Sequence, residues 1–323
     1  MHNKPVYPLT GKRIWVAGQR GMVGSAVVRK LADLDCEIIP DRPERLDLRR
    51  QADVESWLAE VRPDAIVVAA AKVGGILAND SFPVDFLEDN LLIEANVIGS
   101  AHRTGVERLL FLGSSCIYPR LAAQPIREDA LLAGPLEPTN AWYAVAKIAG
   151  IKLVQAYRQQ YGRDYIAAMP TNLYGPFDNF DLDSSHVLPA LLRKAHEAKA
   201  SGAAEMTIWG SGTPRREFMH VDDCADALVF LLQHYSGVEH VNVGTGSDIA
   251  IHDLANMISQ IVGFRGSILL DRSRPDGTPR KLISSDKLHA LGWSPRITLE
   301  DGIRETYQWF LEHMTDRRIQ SIA

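Results

Sequence analysis

The chain has 323 residues, 46% of them hydrophobic, enough for a large core or for two closely associated lobes. Its formal net charge is −5 with both signs dispersed and no basic stripe or tail, which argues against nucleic acid as the principal partner. The longest apolar runs, such as AIVVAAA at 65–71, are far too short to span a bilayer, and the opening MHNKPVYPLTGKR has no apolar signal core. Cys36, Cys116 and Cys224 are widely separated and free of C-x-x-C spacing. That is poor material for disulfides or zinc, and the expected compartment is the reducing cytoplasm.

In chain order, RIWVAG (13–18), CEIIP (36–40), AIVVAAA (65–71), RLLFLGSS (108–115) and YIAAMPTN (165–172) read as buried strands. Their near-continuous apolar character suits a parallel sheet covered on both faces. Helical patterns lie between them, clearest at 84–104 and 141–161. Such alternation predicts right-handed crossovers and a doubly wound α/β sheet of the Rossmann type. From about 177 the texture becomes loop-rich, then helical. A helix near 221–235 and a strand near 239–243 are expected to rejoin the main sheet. The expected division is a dinucleotide-binding domain over 1–176, with 221–246 returning to its sheet, and a smaller, mainly substrate-binding lobe over 177–323.

GQRGMVG (18–24) follows the first strand and opens the first helix. Gly18 allows the tight turn, Gly21 lets backbone approach a pyrophosphate, and Gly24 permits close helix–sheet packing. Any tight strand-to-helix turn can use glycines, but the first strand of a doubly wound pattern is where dinucleotides bind. Arg20 in the loop and Arg42 after the second strand suit the 2′-phosphate of NADP(H). Asp41 suits the free ribose hydroxyl of NAD instead. The loop arginine favours NADP(H). Asp47, followed by Leu48, is a candidate adenine contact.

YAVAK places Tyr143 and Lys147 four residues apart on one helix face. A free tyrosine, with a pKa of about 10, is a poor acid–base group at neutral pH. The Lys147 ammonium is expected to favour its phenolate. Ser114, at the end of the fourth strand, can hydrogen-bond the same substrate oxygen that Tyr143 protonates.

With these parts in place, the chain resembles the extended short-chain dehydrogenase/reductase family that acts on nucleotide sugars. More narrowly it is similar to the branch that makes GDP-L-fucose. AGQRGMVGSA, AAAKVGGI, FLGSSCIYP, EPTNAWYAVAKIAGIKL, PTNLYGPFDNF, SHVLPALLRK, WGSGTPRREFMHVDD and PDGTPRKL carry the resemblance over 13–313. It implies a homodimer built on helices 84–104 and 141–161. It also implies inversion of a GDP-4-keto-6-deoxy-mannose at carbons 3 and 5 and NADPH-dependent reduction at carbon 4.

Inversion needs a base and an acid on opposite ring faces. The resemblance gives these roles to Cys116, its thiol pKa expected to be lowered by its surroundings, and to His186. Most free cysteines are inert core residues, and only the motif order around Cys116 reverses that reading. Nucleotide-sugar dehydratases place an Asp–Glu pair where this chain has Ser115 and Cys116. The implied cofactor contacts are Gly18, Gln19, Arg20, Gly21, Met22, Val23, Gly24, Arg42, Asp47 and Leu48. Leu112, Gly113, Ser114, Ser115, Lys147, Pro170, Thr171, Asn172, Leu173 and His186 complete the set. Lys194, Trp209, Arg216 and Asp276 are the implied substrate contacts, set against ordinary lobe packing for Trp209 and a solvated helix face for Lys194.

Three departures stand out. Phe177 occupies a position where relatives often have histidine, PDRPERLD differs from the arginine-containing form associated with NADP, and AAAK (69–72) replaces an H-x-A-A sequence. A reductase for a 3,6-dideoxy GDP-keto sugar is the close alternative. A non-catalytic dinucleotide sensor is the distant one, since it has no need to keep Ser114, Cys116, Tyr143, Lys147 and His186 together.

Overall fold

The computed structural model describes residues 4–41, 46–182, 184–274 and 276–314; Arg42 lies outside them. β1 (Arg13–Ala17) leads into α1 (Met22–Ala32), and β2 (Glu37–Ile39) into α2 (Gln51–Val61). β3 (Ala65–Val68) is followed by the short α3 (Ile76–Ser81) and the long α4 (Pro83–Arg103). β4 (Arg108–Leu112) ends in a single 3-10 turn at Ser115–Ile117, and α5 (Ala141–Tyr161) then leads to β5 (Asp164–Pro170). The five strands predicted over 13–172 are all present, each one to three residues shorter at its C-terminal end.

The second half runs β6 (Asn172–Tyr174), α6 (Val187–Ser201), β7 (Glu205–Trp209), β8 (Arg215–Arg216), β9 (Phe218–His220) and α7 (Val221–His234). β10 (Val241–Val243), β11 (Ile249–Ala250), α8 (Ile251–Val262), β12 (Ser267–Asp271), β13 (Arg280–Lys281), α9 (Asp286–Ala290) and α10 (Leu299–His313) follow. Six strands make one parallel sheet in the order β10-β5-β4-β3-β1-β2. The fold is therefore the doubly wound Rossmann type, with β10 seated against β5 at the edge. No helix among the described residues is long and apolar enough to cross a membrane.

Every residue of β3 and β4 is buried, as a sheet covered on both faces demands. Successive side chains alternate between the two layers. Leu110 joins Val16, Leu31 and Leu228 under α1 and α7, while Phe111 joins Trp15, Val97 and Ile151 under α2, α4 and α5. Each such large apolar side chain contributes about 1.5–3 kcal/mol by burial. A third core, including Phe180, Leu192, Ile258 and Phe310, holds α6, α8 and α10 together. α4 begins with Pro83 in its first turn and ends on His102 and Arg103, and α5 stops at Gly162 in the left-handed region. Those are the residue types that helix starts and ends favour. Chain direction across the sheet reverses between β1 and β3, which opens a crevice at their carboxyl ends.

Candidate active site

The glycine loop lines that crevice. Gly18 has φ +96°, and a Cβ there would stand 2.8 Å from the backbone nitrogen of Ala70. A Cβ on Gly24 would stand 1.9 Å from the carbonyl oxygen of Gly18, so only glycine lets α1 start this close to β1. Gly21 differs. Its nearest neighbour would be 3.5 Å away, leaving its outer side open to the cleft. Gly21 also caps α1 with no side-chain hydrogen bond, so the first amides of the helix stay available to an anion. The cleft has a volume of about 620 Å³, and Gly18, Gly21, Asp47, Leu48, Ala69 and Lys72 are among its walls. Open backbone, free helix amides and a groove of this size fit a dinucleotide.

Arg20 is exposed and makes no hydrogen bond among the described residues, so its guanidinium remains available to a phosphate. Asp41 is less available. Its Oδ1 accepts from the Trp15 indole at 2.8 Å and its Oδ2 from the Gln19 amide at 3.3 Å, while burial pushes its pKa up. Gln19 also donates to the Ile39 carbonyl at 2.5 Å. The Asp47 carboxylate is taken up by Arg49 at 2.9 and 3.0 Å, leaving it a poorer adenine partner than its position suggested. Asn96 donates to the Leu48 carbonyl at 3.0 Å and fixes this edge of the groove. Met22, Val23 and Leu173 pack against the core, and Leu112, Gly113 and Ser115 are buried at the end of β4. A Cβ on Gly113 would strike the Met169 side chain at 2.4 Å. Thr171 and Asn172 turn their side chains towards the Glu217 carbonyl, with Pro170 just before them closing β5. Lys72 directs its amine to Asp85 at 2.6 Å.

Ser114 leaves β4 in extended conformation, and the turn that follows brings Cys116 back beside it. Ser114 lies close enough to both Cys116 and Tyr143 to favour the ionised form of each. The Tyr143 ring meets Phe86 edge-on at 6.4 Å. Two sequence expectations are corrected here. Burial drives the Tyr143 phenol well above its ordinary range, and Cys116 and Glu94 add to that effect. Lys147 is not turned against the phenol. Its amine lies 5.8 Å from the ring centroid and 3.0 Å from Glu94 on α4, so its charge is already matched. The Cys116 thiol is likewise pushed up, because it is only 6% exposed. Lys281, Ser114 and Lys147 oppose the burial without overcoming it.

His186 stands at the N-cap of α6. It is exposed by area, yet desolvation lowers its imidazole pKa and the Lys281 charge lowers it further. Both hold for a side chain on the wall of a cleft, open in one direction and crowded in the rest. Lys281 is thus the charge shared by Cys116 and His186.

At the outer end, Trp209 presents half its surface to solvent, with the Lys194 amine 5.3 Å and the Arg274 guanidinium 5.0 Å from its ring. Lys194 also donates to the Thr207 carbonyl at 3.3 Å, and burial lowers its pKa. Asp276 accepts from the Ser211 amide at 2.7 Å, which places its carboxylate against the turn just after Trp209. Arg216 is desolvated and feels both Glu137 and Asp276. Phe177 adopts φ +68° and packs on Trp309 at 5.2 Å.

Glu94, Asn90, Glu217 and Lys281 escaped the sequence reading. Glu94 and Asn90 interrupt the apolar stripe of a helix, a signal that marks burial without naming the partner. Asn90 is fully buried and holds the chain after β3 through Lys72 N at 2.9 Å and Lys72 O at 3.0 Å.

A family model described as the NAD dependent epimerase/dehydratase family matches residues 14–244. The GDP-L-fucose synthase of Sinorhizobium fredii (strain NBRC 101917 / NGR234) is 61% identical over 312 residues, covering 97% of this chain and 99% of the relative. The GDP-L-fucose synthase of Escherichia coli (strain K12) is 52% identical over 315 residues, covering 94% and 98%. A solved GDP-L-fucose synthetase from Naegleria fowleri, bound to NADP, superposes with a TM-score of 0.90 at 28% identity, covering 98% of this chain and 99% of that one.

Proposed function

The chain belongs to the NAD dependent epimerase/dehydratase family, and from that membership we propose that it converts GDP-4-keto-6-deoxy-D-mannose to GDP-L-fucose. The reaction inverts carbons 3 and 5 and reduces carbon 4. NADPH, when bound along Gly18–Gly24, supplies the hydride for that reduction; the NADP-bound relative supports this choice of cofactor.

Both inverted carbons flank the ketone, so loss of either proton sends the C–H electron pair into an enolate on the carbon-4 oxygen. Tyr143 and Ser114 stabilise that oxygen, and in the reduction Tyr143 gives it a proton. Cys116, as thiolate, removes the ring proton. His186, as imidazolium, returns one to the opposite face. Lys147, held by Glu94, gives the floor under Tyr143 a fixed charge distribution. Trp209 offers a flat face to the base, Lys194 and Arg216 charge to the diphosphate, and Asp276 a carboxylate beside the same turn.

The observation that carries the reading is Cys116 grouped with Ser114 and Tyr143 at the end of β4. A dehydratase needs carboxylates where this chain has Ser115 and Cys116, and a simple 4-epimerase has no use for the thiol.

The reading includes a homodimer in the cytoplasm. Leu92 on α4 and Trp142 and Val145 on α5 are exposed on two helices that pack together, an apolar face suited to a second copy. A solution mass of 35.8 kDa, that of one chain, would contradict it.

The test mixes protein, NADPH and GDP-4-keto-6-deoxy-D-mannose and follows absorbance, with proton NMR of the sugar product. GDP-L-fucose and NADPH consumption are expected, and NADH should serve less well. No NADPH consumption at high enzyme concentration overturns the proposal.

A further inference from the structure

The chain leaving β3 walls the dinucleotide cleft as Ala69–Lys72 and then runs through Gly74 and Gly75 into α3. Two buried asparagines clamp it. Asn90 holds both main-chain groups of Lys72, and Asn79 donates through Nδ2 to the Gly74 carbonyl at 2.8 Å and the Gly75 carbonyl at 3.1 Å. Asn79 is only 4% exposed, and its Oδ1 has no hydrogen-bond partner among the described residues. That is an unfavourable way to bury an amide, offset here by the two bonds from its nitrogen.

This clamped segment meets the loop that carries His186. The Gly75 amide donates to the Ser184 carbonyl at 2.9 Å. A Cβ on Gly75 would stand 2.6 Å from the Ser185 carbonyl oxygen and 3.4 Å from that of Ser184. Gly75 has φ −65° and ψ 177°, values open to any residue, so the close approach alone calls for glycine here. The loop is also tied to itself. Asp181 Oδ1 accepts from the Ser184 amide at 2.9 Å and the Ser184 hydroxyl at 2.8 Å, and the Ser185 amide donates to the Asp181 carbonyl at 2.9 Å. A push at Ser185 is therefore passed to its neighbour His186 before the loop can absorb it.

We propose that the Gly74–Gly75 segment, clamped by Asn79, is the seat that sets where His186 stands in the site, which makes Gly75 and Asn79 positioning residues for proton return. The inference rests on the reaction reading, in which the His186 imidazolium gives its N–H proton to a ring carbon of the enolate. The enolate supplies the electron pair of the new C–H bond, and neutral imidazole is left behind. Hydride transfer and proton donation by Tyr143 do not pass through this loop. A displaced seat should therefore slow inversion more than reduction, so that more of the ketone is reduced before it has been inverted.

Two measurements on the full chain test it. The first contains no sugar: histidine is labelled with carbon-13 at Cε1, and the His186 signal is assigned by its loss in His186→Asn. Gly75→Ala and Asn79→Ala should each move that signal, while Asp80→Ala, an exposed change on the same helix, should not. The second adds NADPH and the keto sugar and reads, by proton NMR, the ratio of uninverted 6-deoxyhexose to fucose in the products. Both products come from folded molecules, so a loss of stability alone leaves the ratio unmoved. Misplacing a reacting group by about 1 Å can cost about 10²-fold, so the ratio should rise about tenfold or more in Gly75→Ala and Asn79→Ala. It should stay parental in Asp80→Ala. If Gly75→Ala does not fold, Asn79→Ala carries both measurements. An unmoved His186 signal in a folded Gly75→Ala or Asn79→Ala overturns the proposal, as does a parental product ratio in either, or an equal rise in Asp80→Ala. A moved signal in a protein whose parent consumes no NADPH with the keto sugar sinks the reaction reading, whereas an unmoved signal in one whose parent makes GDP-L-fucose sinks the seat alone.

Discussion

Glu94 on α4 brings its carboxylate to 3.0 Å from the amine of Lys147 on α5, and each side chain is only 2% exposed. Burial pushes the Glu94 pKa up while Lys147 pulls it down, so the pair persists because each charge answers the other. Gly150 makes room for it: a Cβ there would stand 2.7 Å from Glu94 Oε2. Removing one partner of a buried pair typically costs about 3–5 kcal/mol, because the other charge is stranded. Glu94→Gln should lower stability by that order in urea unfolding. Glu94→Gln combined with Lys147→Met should recover most of the loss without recovering NADPH oxidation. A single variant as stable as the parent would show that the pair carries little.

The two halves of the reaction should separate by mutation. Cys116→Ala removes the carbon base but leaves Ser114, Tyr143 and Lys147 around the ketone. It should bind NADPH, fail to exchange the protons beside the ketone with heavy water, and slowly yield a 6-deoxyhexose other than fucose. Tyr143→Phe should nearly abolish NADPH oxidation and retain slow exchange, since losing one donor to a developing oxyanion costs about 10²-fold or more. Proton NMR of the sugar ring reads both. Exchange at the parental rate with fucose still formed by Cys116→Ala would make Cys116 a packing residue.

The sheet was legible because β3 is apolar throughout and β4 at every position after Arg108, a local pattern that needs no knowledge of the partner strand. The glycine loop was legible for the same reason, since turn and helix start lie within one stretch. The charge state of the site was not. An i, i+4 spacing puts Tyr143 and Lys147 on one face, but only the packing of α4 on α5 discloses that Glu94 answers the lysine. Desolvation is likewise a property of the whole neighbourhood, which is why the shifts expected for Tyr143 and Cys116 came out reversed. Lys281 reaches the site through a two-residue strand paired to β8, too short for any periodicity to announce.

The loop glycines should respond differently to one added methyl. Gly24→Ala sets a Cβ 1.9 Å from the Gly18 carbonyl, so α1 must move away from β1. Overpacking of that kind costs about 1–3 kcal/mol or more, and the melting temperature should fall along with NADPH affinity. Gly21→Ala meets nothing closer than 3.5 Å within the protein and projects towards the cleft. It should leave the melting temperature unchanged and weaken NADPH binding alone, read by quenching of protein fluorescence. Equal thermal losses in both variants would mean that the Gly21 side of the loop is not where the dinucleotide approaches.

Asp178 gives the fold a pH dependence of definite sign. It lies in the loop between β6 and His186, just after Phe177, and is buried. Its Oδ1 accepts from the Asn179 amide at 2.7 Å, while Oδ2 has no hydrogen-bond partner among the described residues. Burial pushes its pKa up to about 7. The folded chain therefore keeps this proton to about pH 7, whereas an unfolded aspartate gives it up near 4. Its contribution to stability is whole below about pH 4 and is lost as pH rises through about 7, by at most about 4 kcal/mol. Asp178→Asn cannot ionise and should lack that slope. Relative to the parent, it should gain stability steadily as urea unfolding is repeated from about pH 4 to about pH 8. Parallel curves for the two proteins would mean that water or loop motion reaches the carboxylate and that Asp178 ionises as freely folded as unfolded.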